Sequence, residues 1–328
     1  MSIRAETTIR NAAPAGTAAK TGAIARAMRA LVKYRALFAM TIPGALYLLI
    51  NNYLPMFGIV IAFKDINFVK GILGSEWVGF KNFEYLFKTR DAYVILRNTI
   101  LYNFAFIALG TIAAIGLALL LNEVKNRFFS RVYQSLVLLP FLISMVIVGY
   151  LVLAFLNVET GFVNNSILPL FGIEPIAWYN EPKYWPYILT IVKLWNSVGS
   201  LCVIYLAAII GIDREYYEAA TLDGAGTWQQ VVHITLPLIM PVVIIMTLLA
   251  VGRILNADFG LFFQVPLDSG ILQPTTNVID TYVYRALMRL GDIGMSSAAG
   301  VFQSVVGFAL VMISNAVVRR IDPEKALF

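Results

Sequence analysis

Six stretches of this chain contain no Asp, Glu, Lys or Arg. They are residues 36–63, 98–122, 132–158, 194–212, 234–252 and 293–318. Each is bracketed by charges: Arg35 and Lys64, Arg97 and Glu123, Arg131 and Glu159, Lys193 and Asp213, Asp223 and Arg253, Asp292 and Arg319. A helix needs about 20 apolar residues to cross the hydrocarbon core of a bilayer. Backbone groups in lipid must be satisfied inside the segment, which leaves helices; a β-barrel would show short alternating stretches, and these runs do not alternate. The predicted fold is an all-α integral membrane protein with six transmembrane helices. With 59% hydrophobic and 13% charged residues, the composition fits a membrane protein far better than a soluble domain.

Lys and Arg distribution sets the orientation. Arg4, Arg10, Lys20, Arg26, Arg29, Lys33 and Arg35 precede the first span, Lys125, Arg127 and Arg131 lie between spans 2 and 3, and Arg319, Arg320 and Lys325 follow the last. The 3–4 connection holds only Lys183, and the 5–6 connection only Arg285 and Arg289. The 1–2 connection is basic as well, but it is long and mixed in sign, and long loops follow the rule weakly. Both termini are therefore expected in the cytoplasm, with the 4–5 connection, 213–236. The expected organisation is a basic arm over 1–35, a transmembrane domain over 36–318 and a short cytoplasmic tail over 319–328. The arm, rich in Ala, Thr, Gly and basic residues, is expected to be disordered. The basic residues flank spans, so the positive balance reads as attraction to the lipid bilayer, with no nucleic-acid partner. The lone cysteine, Cys202, lies mid-span and is expected to be a small buried residue.

Pro43, Asn51, Asn52 and Pro55 predict kinking of the first span. Trp77 to Phe87 suits a short amphipathic helix through Phe80, Phe83, Leu86 and Phe87. Gly161 to Ile173 and Phe259 to Leu267 are too short to span and read as interfacial or re-entrant pieces. Trp178, Tyr179, Tyr184, Trp185 and Tyr187 form either an interfacial aromatic belt or a stacking surface for sugar rings or an external partner.

The 4–5 connection has internal design. Asp213 is a good N-cap for a helix over about 214–222, with Glu215 and Glu218 favourable to its dipole. Gly224 and Gly226 break that helix. Thr227 with Gln230 predicts a capping box for a second helix, with Trp228, Val231 and Val232 on one face. Pro237 suits the first turn of the fifth span. The expectation is a rigid helix–glycine turn–helix.

Glu218-Ala219-Ala220, then Asp223-Gly224-Ala225, Ile234, Leu236-Pro237 and Pro241 resemble the "EAA" loop of binding-protein-dependent ABC importer permeases. Trp77–Phe87 followed by Arg97-Asn98-Thr99 is similar to the stretch before span 2 in carbohydrate-importing permeases. Tyr282–Arg285, Phe302–Phe308 and Asn315 resemble the polysaccharide and complex-oligosaccharide branch. The resemblance covers about 36–328. It implies a type I ABC importer permease fold whose 4–5 loop is a cytoplasmic coupling helix. Glu218, Ala219, Ala220, Asp223, Gly224 and Gly226 would form its ATPase-coupling element, with Glu218 as the anchor through a hydrogen bond or salt bridge. The implied partners are a second homologous permease, two cytoplasmic ABC ATPases, an external or periplasmic solute-binding protein and a carbohydrate, at a bacterial cytoplasmic (inner) membrane. ATP and magnesium would bind the partner ATPase.

Sugars need hydrogen-bond partners, and polar groups in spans face cavities or the bundle interior. The candidate path residues are Asn103, Lys193, Trp195, Asn196, Arg253, Asn256 and Asp258, with Ser197 beside them. Lys193 and Arg253 would suit an acidic oligosaccharide such as an alginate or another uronate; the alternative is that they snorkel or pair with a carboxylate. The asparagines would otherwise bond neighbouring helices. The chain has no G-x-x-x-x-G-K-[ST] loop and no Gly-Lys pair, so it is not expected to be an enzyme or to hydrolyse ATP itself. Its one histidine, His233, excludes H-E-x-x-H chemistry, and no metal site is expected. The contrasting reading is an ion-coupled secondary transporter or channel for a small polar solute, which would need carboxylates in the spans. Gly291-Asp292-Ile293-Gly294 superficially resembles an intramembrane protease motif, without a paired mid-span aspartate.

Overall fold

The computed structural model describes residues 33–84, 88, 90–323 and 326. Most of the arm expected to be disordered lies outside them, as do Leu86 and Phe87 of the expected amphipathic helix. The chain divides into two compact units, up to Ile59 and from Val60 onward.

The first unit holds α1, Arg35–Leu48. A π-turn follows at Leu49–Tyr53 and ends just before Leu54-Pro55. Proline lacks an N–H and its ring crowds the carbonyl four residues back; one wider turn makes room. The same arrangement recurs at Val163–Ile167 before Leu168-Pro169, and at Val231–Thr235 before Leu236-Pro237. The expected disturbance of the first span is thus a π-turn, and Asn51 Nδ2 donates to Tyr47 O within it (3.0 Å).

The second unit begins with a two-residue hairpin, β1 (Lys64–Asp65) against β2 (Glu76–Trp77). The expected amphipathic helix is, in its described part, only a 3₁₀ turn at Lys81–Phe83. Phe63 holds it, with Trp77 stacked at 5.8 Å and Phe80 and Phe83 at 5.5 and 5.4 Å.

Six further helices follow the apolar windows: α2 (Arg90–Asn122), α3 (Arg127–Leu142), α4 (Met145–Leu156), α5 (Trp185–Ile210), α8 (Leu236–Val251) and α11 (Ile293–Ile321). Between α5 and α8 lie α6 (Arg214–Leu222) and α7 (Thr227–Gln230); between α8 and α11 lie α9 (Phe259–Gln264) and α10 (Ile279–Arg285). Among the described residues five helices are long and apolar enough to span, and a sixth span exists if α3 and α4 count as one. That pair corrects the third window: it is bent by 94°. Ile143 and Ser144 are extended. Pro140 O accepts from Ile143 N (3.2 Å) and from Asn196 Nδ2 on α5 (2.7 Å), which pins the end of α3.

Two window edges also move. α2 starts well before residue 98, and α5 starts at Trp185, so Lys193 lies inside a span rather than at its boundary. α2 packs along α5. Its Leu101, Phe104, Ile112 and Leu120 are exposed while Ala114 and Ala118 are buried against Cys202, Tyr205 and Ile209. An apolar outer surface is what a span presents to lipid or to another membrane subunit. The Phe259–Leu267 segment is no surface dip: Leu261, Phe262 and Val265 are buried beside Tyr102, Trp185 and Val278. Buried polar side chains stitch the 5–6 connection to the spans. Asn98 Nδ2 donates to Asn277 O (3.0 Å), and Thr99 Oγ1 accepts from Ile279 N (3.1 Å). Gln303 Nε2 donates to Leu255 O (2.7 Å).

Candidate functional site

The 4–5 element is built as its residues dictate, with one change. Asp213 caps α6 by accepting from Glu215 N (3.1 Å). Gly224 ends it in the left-handed region, at φ +83°. Ala225 N donates to Ala220 O (2.9 Å) and Gly224 N to Thr221 O (3.1 Å), which is a Schellman closure. The change is at α7. Its N-cap is Gly226, not Thr227, and Gln229 Oε1 accepts from Gly226 N (2.8 Å). A glycine cannot return a side-chain bond, so only half of a capping box exists. Gln230, expected in the box, instead donates to Thr221 Oγ1 (2.9 Å) and Ala225 O (3.1 Å). α7 also runs on: through the π-turn it is one helix with the fifth span, Thr227–Val251, 25 residues long.

The surface this element presents is partly apolar. Leu222 is 90% exposed, Trp228 76% and Tyr216 57%. Glu218, Ala219, Asp223 and Gly226 are exposed, and Ala220 is half-buried. The Glu218 side chain has no hydrogen-bond or ion-pair partner among the described residues, so the expected anchor is not made within them. The face expected for α7 splits: Trp228 and Val232 point out, while Val231 is half-buried. Leu222 and Tyr216 were not among the sequence candidates; an apolar side chain at the tip of an otherwise polar loop is the signal that marks them. Tyr217, whose hydroxyl lies 2.9 Å from Thr235 Oγ1, has no such sequence signal. His233 Nδ1 lies 3.0 Å from Gln229 O, within its own helix.

At the other end of the fifth span the path candidates separate. Asn103, Lys193, Arg253 and Asn256 line one cavity of about 400 Å³, with Ser197 and Tyr205. Trp195 and Asn196 do not line it. Trp195 is 46% exposed elsewhere, and Asn196 is buried on Pro140 O. Asn103 Nδ2 donates to Ile254 O (2.8 Å) and Asn256 O (3.2 Å), capping the loose end of the span. Lys193 Nζ is 2.7 Å from Asp258 Oδ2, so that cation is neutralised. Asp258 also caps α9 by accepting from Leu261 N (3.1 Å). Among the described residues Arg253 has no anionic partner. The cavity wall therefore carries a net positive charge beside neutral hydrogen-bonding groups, an arrangement that attracts an anion.

Other features take structural roles. Trp185 is fully buried, Tyr179 Oη donates to Val265 O (3.2 Å), and burial pushes that phenol up to about 12. Trp178 Nε1 donates to Asn164 Oδ1 (3.0 Å). Tyr187 alone of the five aromatics is largely exposed, so the cluster is a packed support rather than a belt. Asp292 is the N-cap of α11, accepting from Met295 N (2.8 Å), which accounts for the protease-like residues. Among the described residues no group of three metal-ligating side chains occurs.

Residues 107–324 match the model of the family described as binding-protein-dependent transport system inner membrane component. The polygalacturonan/rhamnogalacturonan transport system permease protein YteP of Bacillus subtilis is 39% identical over 296 residues, 90% of this chain and 91% of that one. Protein LplB of the same organism is 35% identical, covering 90% and 92%. A chain of a bacterial ABC transporter involved in the import of the acidic polysaccharide alginate superposes with a TM-score of 0.82 at 32% identity, covering 90% of this chain and 99% of that one. A related chain was solved with an alginate pentasaccharide-bound periplasmic protein, at a TM-score of 0.80. The six apolar segments, the exposed capped element and the matched fold agree: this chain belongs to the binding-protein-dependent transport system inner membrane component family.

Proposed function

We propose that this chain is the permease subunit of an ATP-driven importer of an oligosaccharide, and that the sugar is acidic. One observation carries this reading. A single helix, Thr227–Val251, has the exposed 4–5 element at one end and leads directly to the polar, positively charged cavity at the other. The carbohydrate permeases it resembles, including one named for polygalacturonan and one from an alginate importer, support the substrate class. The 4–5 element faces the cytoplasm with both termini, in the inner membrane. It is held by a partner ATPase, which binds ATP and magnesium, with Leu222, Trp228 and Glu218 against that partner. A second permease completes the cavity, and an external solute-binding protein delivers the sugar. Closure of the ATPase pair pushes the element as a rigid body and turns the cavity from inward- to outward-facing. An ion-coupled transporter is less well supported, because the carboxylate beside the cavity, Asp258, is already paired with Lys193.

The test is purification of the whole complex and measurement of ATP hydrolysis with a panel of neutral and acidic oligosaccharides. A stable ATP-hydrolysing subunit and stimulation by uronate oligosaccharides are expected. Glu218→Lys and Gly224→Asp should abolish uptake while leaving the chain in the membrane. Full uptake by both variants, or no associated ATPase, would refute the proposal.

A further inference from the structure

α6 is hydrogen-bonded forward to the fifth span, and among the described residues no side-chain hydrogen bond or ion pair ties it back to the fourth. Four residues close a ring of hydrogen bonds. Tyr217 Oη lies 2.9 Å from Thr235 Oγ1, and Thr235 Oγ1 makes a long 3.5 Å contact to Gln230 O. Gln230 Nε2 donates to Thr221 Oγ1 (2.9 Å), and Thr221 Oγ1 donates to Tyr217 O (2.7 Å). With Thr235 giving its proton to Gln230 O, Tyr217 is the donor to Thr235, and every hydroxyl proton in the ring is donated once. Thr235 is buried at 3% exposure, where a lost partner is costly.

Nothing comparable ties α6 to the fourth span: among the described residues no side-chain hydrogen bond or ion pair joins them. α5 ends at Ile210, and Asp213 is extended. A cavity of about 310 Å³ separates Tyr217 and Gln230 from Leu119 and Ile209 at the ends of the second and fourth spans. α6 therefore has room on one side and a polar weld on the other.

We infer that Tyr217 and Thr235 are positioning residues for transport: their bond makes α6 and the fifth span one body that swings at Gly211–Asp213. A push on α6 then travels along a helix of about 37 Å to Arg253 and Asn256 at the cavity. This rests on the proposed function, since it concerns how that push is transmitted.

The test uses the whole complex with its ATPase and binding protein in proteoliposomes, with oligogalacturonate as the probe. The readout is sugar taken up per ATP hydrolysed, because a merely structural defect lowers both together. Tyr217→Phe and Thr235→Val should each lower the ratio roughly fivefold, the weight of one hydrogen bond, with ATP hydrolysis retained. The double variant should be no worse than either single, and Thr235→Ser should restore the ratio. Unchanged ratios in the singles, or additive losses in the double, overturn the inference. Uptake by the unaltered complex tests the proposed function separately. Paired spin labels need only ATP and no sugar: the Leu222–Leu249 separation should hold on ATP binding while Leu222–Ile191 changes. Equal changes in both overturn the inference.

Discussion

Gly199 is the point at which α5 and α3 touch backbone to backbone. A Cβ placed there would lie 1.9 Å from Val137 O, where real Cβ contacts stay above 3.0 Å. In Gly199→Ala the two helices must part by about 1.1 Å, the difference of those distances. The neighbouring Asn196–Pro140 bond, now 2.7 Å, would open to about 3.8 Å and be lost. Overpacking costs about 1–3 kcal/mol, and stranding the buried asparagine about 1 kcal/mol more. The alanine returns up to about 1 kcal/mol of helix preference, so the net loss is about 1–3 kcal/mol. Gly116→Ala in α2 is the control, because nothing lies within 4 Å of its Cβ; it should gain that same preference without the clash. The two variants should then differ by about 2–4 kcal/mol, or on the order of 3–6 °C in melting temperature. The assay is thermal unfolding of the purified complex in detergent at one scan rate, since such unfolding is commonly irreversible. Coincident melting of the two variants would refute the close α3–α5 contact and the pinning of the bend.

Three other outcomes follow from the same geometry. Lys193→Met strands the half-buried Asp258 carboxylate and should destabilise by about 1–3 kcal/mol, whereas Lys193→Met with Asp258→Asn, which keeps the α9 cap, should recover most of it in the same melts. Arg253→Gln should raise the KM for uronate oligosaccharides roughly tenfold or more and leave neutral ones little changed, as measured by stimulated ATP hydrolysis. Asp280 is held above its ordinary value of 3.8, chiefly by burial, against the bonds from Ala257 N and Gln303. The folded chain therefore holds that proton more tightly than the unfolded one. The contribution is fully present below the ordinary value and is lost as pH rises through the raised one. Asp280→Asn should gain stability relative to the unaltered protein as pH rises from the ordinary carboxylate value through the raised one, and a difference that stays constant with pH would contradict the assignment.

Much of the 4–5 element was legible because its determinants are local. Asp213 as N-cap, the helix over 214–222 and the break at Gly224 all appear where the residues predict them. The misplacement of the second N-cap by one residue also has a local cause: Gln229 and Gln230 both lie within reach of the turn, and only its closed geometry decides which one caps. The cavity was legible in part. Asn103, Lys193, Arg253 and Asn256 were singled out as polar groups in spans, and they do meet. Asn196 carries the same sequence signal yet turns to Pro140, because a side chain's helix face is set by its packing partner and not by its type.

By itself the sequence determined the number and rough place of the apolar segments, a disturbance of the first span near its prolines, and the first N-cap and glycine break of the 4–5 element. Each follows from backbone hydrogen bonding within one or two turns, which lipid and proline constrain residue by residue. Only the tertiary structure decided that the third window bends by 94°, for no charge marks the bend and its pin comes from another helix. It alone showed that Lys193 sits inside a span, neutralised by an aspartate 65 residues away, and that Tyr217 is bonded to Thr235. Those outcomes depend on which side chains meet across the fold, and pairing at such separations is invisible until the helices are packed.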